Sequence, residues 1–234
     1  MIDFSFWDML LHQYVDAQGR VNYQAWKGES SQTLDRWLSD IERSHILPLA
    51  HPDEQLALWI NLYNAFTIAS VLETYPIASI QPKILAVPNW IAFLWFFSRP
   101  THKLAGHRYS LNHIEHKILR RQFDEPRIHF ALVCASIGCP LLRNEAYWTE
   151  SVRGQLEEDA IRFINNPDKV RYDTQTQTLY CSKIFKWYRR DFLKVAPSIP
   201  DYIRSYLKTE LPTGSNIPIA YLNYDWSLNQ QIEI

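Results

Sequence analysis

The stretch RIHFALVCASIGCPLLR, residues 127–143, carries the most information about the fold of this chain. Its first eight residues alternate between two faces, with Ile128, Phe130, Leu132 and Cys134 on one and His129, Ala131 and Val133 on the other. A short run that is apolar on both faces is typical of a central strand in a sheet. We therefore predict a strand over residues 127–134 that holds the sulfur of Cys134 at an edge of the sheet.

Amphipathic and capped segments on either side of this strand predict a mostly helical protein. The predicted helices cover residues 4–15, 31–43, 53–75, 110–123, 151–165, 184–193 and 199–206, and a hairpin joins residues 169–172 to 178–181. Helices outnumber strands, the strands are short, and no linker or repeat divides the chain. The expected fold class is α+β, a mostly helical single domain over residues 1–234 around one small β-sheet.

The predicted helix 53–75 is apolar on nearly every face, so we expect it to be buried. Asn61 and Asn64 lie three residues apart in it and therefore share a face. Buried amides need hydrogen-bond partners. Either the two side chains hold loop backbone, or one of them orients a catalytic group.

The predicted helix 110–123 begins at Ser110, a suitable N-cap residue. Glu115 and His116 interrupt its apolar stripes instead of lying on its charged side. A buried carboxylate is costly unless it is paired, and Arg127 is the expected partner of Glu115. His116 is either a structural histidine or a functional one.

Composition excludes some classes of function. The net charge of −1 and the pI near 6.7 argue against nucleic acid as a partner. Three cysteines make no disulfide framework, and the N-terminus carries Asp3 and Asp8 where a signal peptide would be basic. We expect a cytoplasmic protein with reduced thiols.

The apolar segment Ile84 to Phe97 is too short to span a bilayer, so no transmembrane segment is predicted. It reads as an aromatic-rich loop or hairpin packed on the core. The alternative is a surface that contacts a membrane or a protein partner.

Several longer pieces resemble the DUF547 family, a domain of unknown function. They are GRVNY at 19–23, LALWINLYNAF at 56–66, YSLNHIEHKILR at 109–120, PRIHFALVCASIGCPLLR at 126–143, KIFKWYRRDF at 183–192 and YLNYDWSLN at 221–229. The resemblance implies a site region and no named activity: it brings together Asn61, Asn64, Glu115, His116, Arg127, Cys134 and Arg143. Relatives commonly have Gly at position 135, and His129 and Cys139 are not shared by all of them, which favours Cys134 and His116 for common chemistry. Many bacterial relatives also carry a secretion signal.

The first functional hypothesis is a cysteine hydrolase or acyltransferase with a papain-like arrangement. Such a site needs a thiolate, a histidine base and a group that holds the imidazole. We assign these roles to Cys134, to His116, and to Asn64 or Glu115, and a helix that starts near Pro140 would lower the pKa of the thiol. The expected substrate is a small molecule or peptide, and no cofactor is predicted. The residues expected to bind it are Asn61, Arg127, Arg143 and Cys139.

Two alternatives remain open. Cys134 and Cys139, with His116 and His129, could form a zinc or redox site, although the spacing matches no standard zinc pattern. The polar residues could instead be a structural network in a non-catalytic binding or scaffold module, whose working surface is residues 84–97. We assign no catalytic role to the charged run Lys186, Arg189, Arg190 and Asp191, which we expect to face solvent.

Overall fold

The computed structural model describes residues 3–43, 51–81, 83–84, 87–100, 102–212 and 217–231. Its N-terminal half is built from three helices: α1 (Ser5–Tyr14), α2 (Tyr23–Arg43) and α3 (Pro52–Thr74). The α1 side chains Trp7, Leu10, Leu11 and Tyr14 are buried at helical spacing, so one face of α1 packs on the core. The second helix is longer than predicted, because it starts at Tyr23 and continues through a kink at Ser30.

Helix α3 lies at the centre of this half, as predicted. The His51 side chain accepts a hydrogen bond from the amide of Asp53, Pro52 occupies the first turn, and the helix ends ahead of Pro76. Its buried residues fall on every face. Among the described residues α3 is the one helix long and apolar enough to cross a membrane, but 78% of its most apolar window is buried. That degree of burial is typical of a core helix.

Two small hairpins and a helix follow α3. The first hairpin pairs β1 (Lys83–Ile84) with β2 (Val87–Pro88), and the second pairs β3 (His102–Leu104) with β4 (His107–Tyr109). Between them lies α4 (Trp90–Ser98). The segment predicted over 84–97 is therefore a hairpin joined to a helix, and its residues 85–86 lie outside the described part of the chain.

The predicted helix 110–123 is present but not uniform. It runs as α5 (Leu111–His113), a π-helix (Ile114–Leu119) and α6 (Arg120–Gln122), and the Ser110 hydroxyl caps it by accepting from the amide of His113. π-helical turns are rare and occur often at functional sites. Glu115 and His116 lie in this one.

The remaining elements build the C-terminal half. They are α7 (Val152–Ile164), β5 (Val170–Asp173), β6 (Thr178–Cys181), α8 (Ile184–Trp187), α9 (Arg189–Phe192), α10 (Ile199–Arg204) and β7 (Ile219–Tyr221). Strand β5 pairs antiparallel with β6, and β6 pairs in parallel with β7. The helix predicted over 184–193 is wrong as one element, because α8 and α9 are separated at Tyr188.

The predicted strand 127–134 is also wrong. Residues Pro126–Phe130 form a 3₁₀ helix, followed by irregular backbone. Pro126 cannot donate to a sheet ladder, and the Glu125 side chain caps the turn by accepting from the amide of Arg127. The segment is nevertheless buried, as its apolar pattern required.

Buried side chains form two hydrophobic clusters. One surrounds α1 to α3, and the other surrounds the β5–β6 hairpin and α8 to α10. Helix α7 joins them, with Val152 and Leu156 in the first and Phe163 in the second. The α+β class is confirmed, with about half of the chain in helix and small sheets in place of one. The single domain over 1–234 and the papain-like arrangement stay predictions.

Candidate functional site

A cavity of about 510 Å³ lies where the two clusters meet. That volume is in the range of small-molecule sites. Its aromatic walls are Tyr63, Phe93, Phe97, Trp187, Tyr188, Tyr224 and Trp226. Its other chemically active lining residues are Glu115, His116, Arg120, His129, Cys134 and Cys139. The structure thus brings together four of the predicted site residues, namely Glu115, His116, Cys134 and Cys139.

Cys134 and Cys139 form a disulfide in this cavity wall, with their sulfurs 2.09 Å apart. The expectation of reduced thiols is wrong for both residues in this state. Several donors surround the bond. The Cys134 amide lies 2.9 Å from the Cys139 sulfur, and the Tyr224 hydroxyl lies 3.3 Å and 3.2 Å from the sulfurs of Cys134 and Cys139. The Ser136 hydroxyl lies 3.2 Å from the Cys134 sulfur. These donors would stabilise a thiolate if the disulfide were reduced.

Helix α3 holds the backbone that leads to Cys134. The Asn64 amide donates to the carbonyl of Ala131 and accepts from the amide of Val133, both at 3.0 Å. One side chain thereby makes the two backbone hydrogen bonds that a neighbouring strand would have made in a sheet. The prediction that Asn64 orients His116 receives no support, because both ends of its amide are engaged by backbone.

Ala135 follows in the left-handed region, with φ of 59°. Glycine adopts this conformation without steric cost, whereas an L-residue is strained in it. The turn would therefore favour a glycine at this position. The helix expected near Pro140 is absent, since the residues from 140 to 151 carry no helix and α7 begins at Val152.

The predicted substrate-binding residues Asn61, Arg127 and Arg143 do not line the cavity. Asn61 pairs with the backbone of Tyr147, accepting from its amide and donating to its carbonyl. Arg127 bonds to Glu125 at 2.6 Å and to Glu157 at 2.7 Å, so the expected pair with Glu115 is wrong.

Arg143 is buried among three carboxylates. It contacts Glu145, Glu158 at 2.7 Å and Asp159 at 3.2 Å. Burial tends to lower the pKa of Arg143, but Asp159 and the neighbouring carboxylates outweigh it and raise the pKa. Asn61, Arg127 and Arg143 are thus engaged in the framework that surrounds the cavity.

The π-helix presents Glu115 and His116 to the cavity. Glu115 is buried, and its Oε2 accepts from the Tyr63 hydroxyl at 3.2 Å. Its Oε1 is buried and accepts no hydrogen bond from any residue that the structure describes. His116 is about one-third exposed, and its Nδ1 lies 2.7 Å from an Arg120 guanidinium nitrogen. Because guanidinium only donates, that ring nitrogen is the acceptor, and the proton of a neutral His116 is on Nε2.

A second imidazole, which the sequence suggested only as a possible metal ligand, makes closer contacts. His129 is buried in the cavity wall, with Nε2 2.9 Å from Asp191 Oδ2 and its ring stacked at 3.7 Å on Tyr188. A carboxylate only accepts, so Nε2 carries the proton of the neutral ring and Nδ1 is left as the basic nitrogen. Burial lowers the pKa of His129 and favours this neutral form, although Asp191 opposes the shift.

Asp191 is the residue that orients His129, and it also accepts from Arg120 Nε at 2.6 Å. Burial alone would raise the pKa of Asp191, but the hydrogen bonds from His129 and Arg120 outweigh it and lower the pKa far below its usual value. The expectation that Asp191 faces solvent is wrong, because its side chain is only 14% exposed and its carboxylate is bonded to His129 and Arg120. His129 was not predicted as a base because a strand would have placed it opposite Cys134, whereas both residues line the same cavity.

No metal cluster supports the zinc alternative in the described part of the chain: no three His, Cys, Asp or Glu side chains there could hold an ion together. The sulfurs of Cys134 and Cys139 are bonded to each other and would first have to be reduced to act as ligands.

A family described as "Protein of unknown function, DUF547" matches residues 48–164, which include α3, the π-helix and both cysteines of the disulfide. No curated protein and no solved structure matched the chain.

Proposed function

The chain belongs to the DUF547 family, and we propose that this member is a cysteine-dependent hydrolase or acyltransferase acting in the cavity. The observation that carries the proposal is the His129–Asp191 pair, 2.9 Å apart, in the wall of the cavity that also contains Cys134. A nucleophile, a base and a residue that orients the base are the parts that covalent acyl transfer needs. Burial of His129 and the stacking of its ring on Tyr188 support a preorganised site.

In the proposed mechanism a dithiol reductant first opens the Cys134–Cys139 bond. The Cys134 sulfur then attacks the carbonyl carbon of an ester or amide, and His129 Nδ1 takes the thiol proton. His129 returns that proton to the leaving group, and a thioester remains on Cys134. Water or an acceptor nucleophile breaks the thioester and restores the thiol. The hydroxyls of Tyr224 and Ser136, both close to the Cys134 sulfur, are the proposed donors to the developing oxyanion.

This proposal changes the roles assigned to two residues. His129 replaces His116 as the base, and Asp191 replaces Asn64 or Glu115 as the residue that orients it. His116 and Glu115 remain cavity residues. The chain order is His, Cys, Asp, so the proposed likeness to papain-like enzymes is one of geometry and not of sequence order.

The test is to trap the acyl-enzyme. The protein, reduced with a dithiol, is incubated with activated esters and amides, and the site of acylation is found by intact mass and peptide mapping. Cys134→Ser should abolish turnover, Cys181→Ser should leave it unchanged, and Cys139→Ser should be active without reductant. Turnover retained in Cys134→Ser, or an acyl group on another residue, would contradict the proposal.

A second candidate function is thiol–disulfide exchange, favoured by the disulfide itself. A substrate dithiol would attack the half-buried Cys134 sulfur, and Cys139 would leave as a thiolate stabilised by the Cys134 amide and the Tyr224 hydroxyl. The substrate would be oxidised to a disulfide and the protein reduced. Cys139→Ser separates the candidates, because it removes the exchange reaction and leaves acyl transfer intact.

We also propose that the protein is cytoplasmic and that the exposed face of α4 contacts a partner or a membrane surface. Ile91, Leu94 and Trp95 are 82%, 60% and 56% exposed, an unusual amount of apolar surface for one short helix. This surface also supports the non-catalytic alternative. Sedimentation with anionic lipid vesicles, lost in Trp95→Lys, would favour membrane contact. In a cytoplasm the disulfide would be a reversible, functional bond and not a permanent cross-link.

A further inference from the structure

One oxygen of the Glu115 carboxylate has no visible partner although it is buried. The side chain is about nine-tenths buried in the cavity wall, and only Oε2 is engaged, by the Tyr63 hydroxyl at 3.2 Å. Within the described ranges Oε1 accepts no hydrogen bond, and His116 Nδ1, itself an acceptor, lies 3.9 Å away. The Tyr188 hydroxyl is near the same carboxylate, and burial together with the Glu115 charge raises the pKa of Tyr188, so that hydroxyl stays neutral. Buried acceptors are almost always satisfied, so a partner for Oε1 is expected from the content of the cavity.

The charges around the cavity favour a positive partner. Arg120 supplies one positive charge, but its Nε is bonded to Asp191 at 2.6 Å. Glu115 supplies a second negative charge, and burial keeps His129 neutral by lowering its pKa. One guanidinium therefore faces two carboxylates, which leaves an excess of negative charge at the polar end of the cavity.

The other walls favour an apolar or aromatic body. Trp187, Tyr224 and Trp226 pack against one another on one side, with Trp187 and Trp226 stacked at 5.9 Å. Phe93 makes an edge-to-face contact with Trp226 at 4.8 Å. Ring faces attract cations as well as apolar groups, so a cationic head on an apolar body suits both parts of the site.

We infer that the cavity binds a protonated amine attached to an apolar body, with the ammonium group donating to Glu115 Oε1. If the proposed function holds, this ligand is the substrate, so the inference rests on that function only for the word substrate. Acyl compounds with a free amino group and an apolar side chain are the class that it names.

The experiment measures binding to the protein in its disulfide form, in which Cys134 cannot attack. The probes are phenethylamine, its neutral counterpart 2-phenylethanol and the anion 3-phenylpropionate, titrated by calorimetry or ligand-observed NMR. Phenethylamine should bind at least about tenfold more tightly than 2-phenylethanol, since a hydrogen bond to a charged group is worth at least one tenfold step in affinity. The anion should bind most weakly.

Glu115→Gln should lower the affinity for phenethylamine to that for 2-phenylethanol. Tyr63→Phe is the matched control, because it removes the bond to Oε2, keeps the carboxylate and should keep the preference for the amine. Equal binding of amine and alcohol, tighter binding of the anion, or an unchanged preference in Glu115→Gln would overturn the inference. If Glu115→Gln does not fold, the wild-type series decides alone. If the protein prefers the amine but no acyl transfer is detected, the proposed function is contradicted and this inference stands.

Discussion

At the scale of single residues, the proposed base for Cys134 is the histidine whose basic ring nitrogen is not already engaged in a hydrogen bond. His116 uses Nδ1 to accept from Arg120, so its neutral form presents an N–H and no free basic nitrogen. His129 uses Nε2 to donate to Asp191, which leaves Nδ1 basic. Two histidines in one cavity are thereby distinguished by their hydrogen-bond partners.

This distinction gives the first prediction. If the reduced protein catalyses acyl transfer as proposed, His129→Ala should lower kcat/KM by about 10²–10⁴, the usual contribution of a general base. Asp191→Asn should cause a large loss as well, because an amide at that position can also donate and no longer requires Nε2 to carry the proton. His116→Gln is the control and should keep most of the activity. Circular dichroism should show that all three variants fold. An inactive His116→Gln beside an active His129→Ala would reverse the assignment.

At the scale of elements, the irregular backbone before Cys134 is held in place as a strand would be, because a side chain of α3 hydrogen-bonds to it. The Asn64 side chain satisfies one carbonyl and one amide of the segment. Sequence predicted that buried amides of α3 hold either loop backbone or a catalytic group, and the structure shows backbone pairing for both Asn61 and Asn64.

The second prediction follows from this pairing. Asn64→Ala should destabilise the protein by about 2–4 kcal/mol, since it leaves two buried backbone groups without partners. Denaturant unfolding measures the change. Asn61→Ala is a matched control, because it breaks two comparable bonds to Tyr147 and should be similarly destabilising without changing the reactivity of Cys134. A cost below about 0.5 kcal/mol for Asn64→Ala, typical of a surface substitution, would argue against its positioning role.

The fold was predictable where residues that start or end helices lie within the segment itself. Pro52, Asp53 and Pro76 fixed the ends of α3, and Ser110 fixed the start of α5. The segment 127–134 was not predictable, because a pattern that is apolar on both faces reports burial and not the partner that satisfies the backbone. Asp191 was missed for a similar reason, since its partners His129 and Arg120 are distant in the sequence. The disulfide also depends on the turn between Cys134 and Cys139, which has no sequence signature of its own.

At the scale of the whole molecule, a network of ion pairs around Glu125 links α7 to the start of α3. Glu125 bonds to Arg127 at 2.6 Å and to Arg153 at 2.7 Å, and Arg153 continues to Asp53 at the start of α3. Burial alone would raise the pKa of Glu125, but Arg127 and Arg153 outweigh it and hold the pKa below its ordinary value of 4.5.

The third prediction is that acid destabilises the protein through this network. A carboxylate whose pKa is lowered by folding stabilises the native state above its unfolded pKa, and that contribution is lost as the pH falls through the lower folded value. The free energy of unfolding should therefore decrease as the pH is lowered below about 4.5. Glu125→Gln should be less stable at neutral pH and show a shallower acid decline, measured by urea unfolding at several pH values. An equally steep decline in the variant would place the acid sensitivity elsewhere.

We propose that Cys134 is a nucleophile served by His129, and the pH dependence of Cys134 alkylation tests this assignment. In Cys139→Ser, which cannot form the disulfide, the rate of iodoacetamide modification at Cys134 is followed by peptide mass spectrometry from pH 5 to pH 10. Cys181 is the internal reference, because burial raises its pKa to about 12. We predict that the midpoint of Cys134 alkylation lies well below the ordinary thiol value of about 8.5. His129→Ala should lose reactivity near pH 6, and Cys181 should react little. A midpoint near 8.5 that His129→Ala leaves unchanged would contradict the assignment.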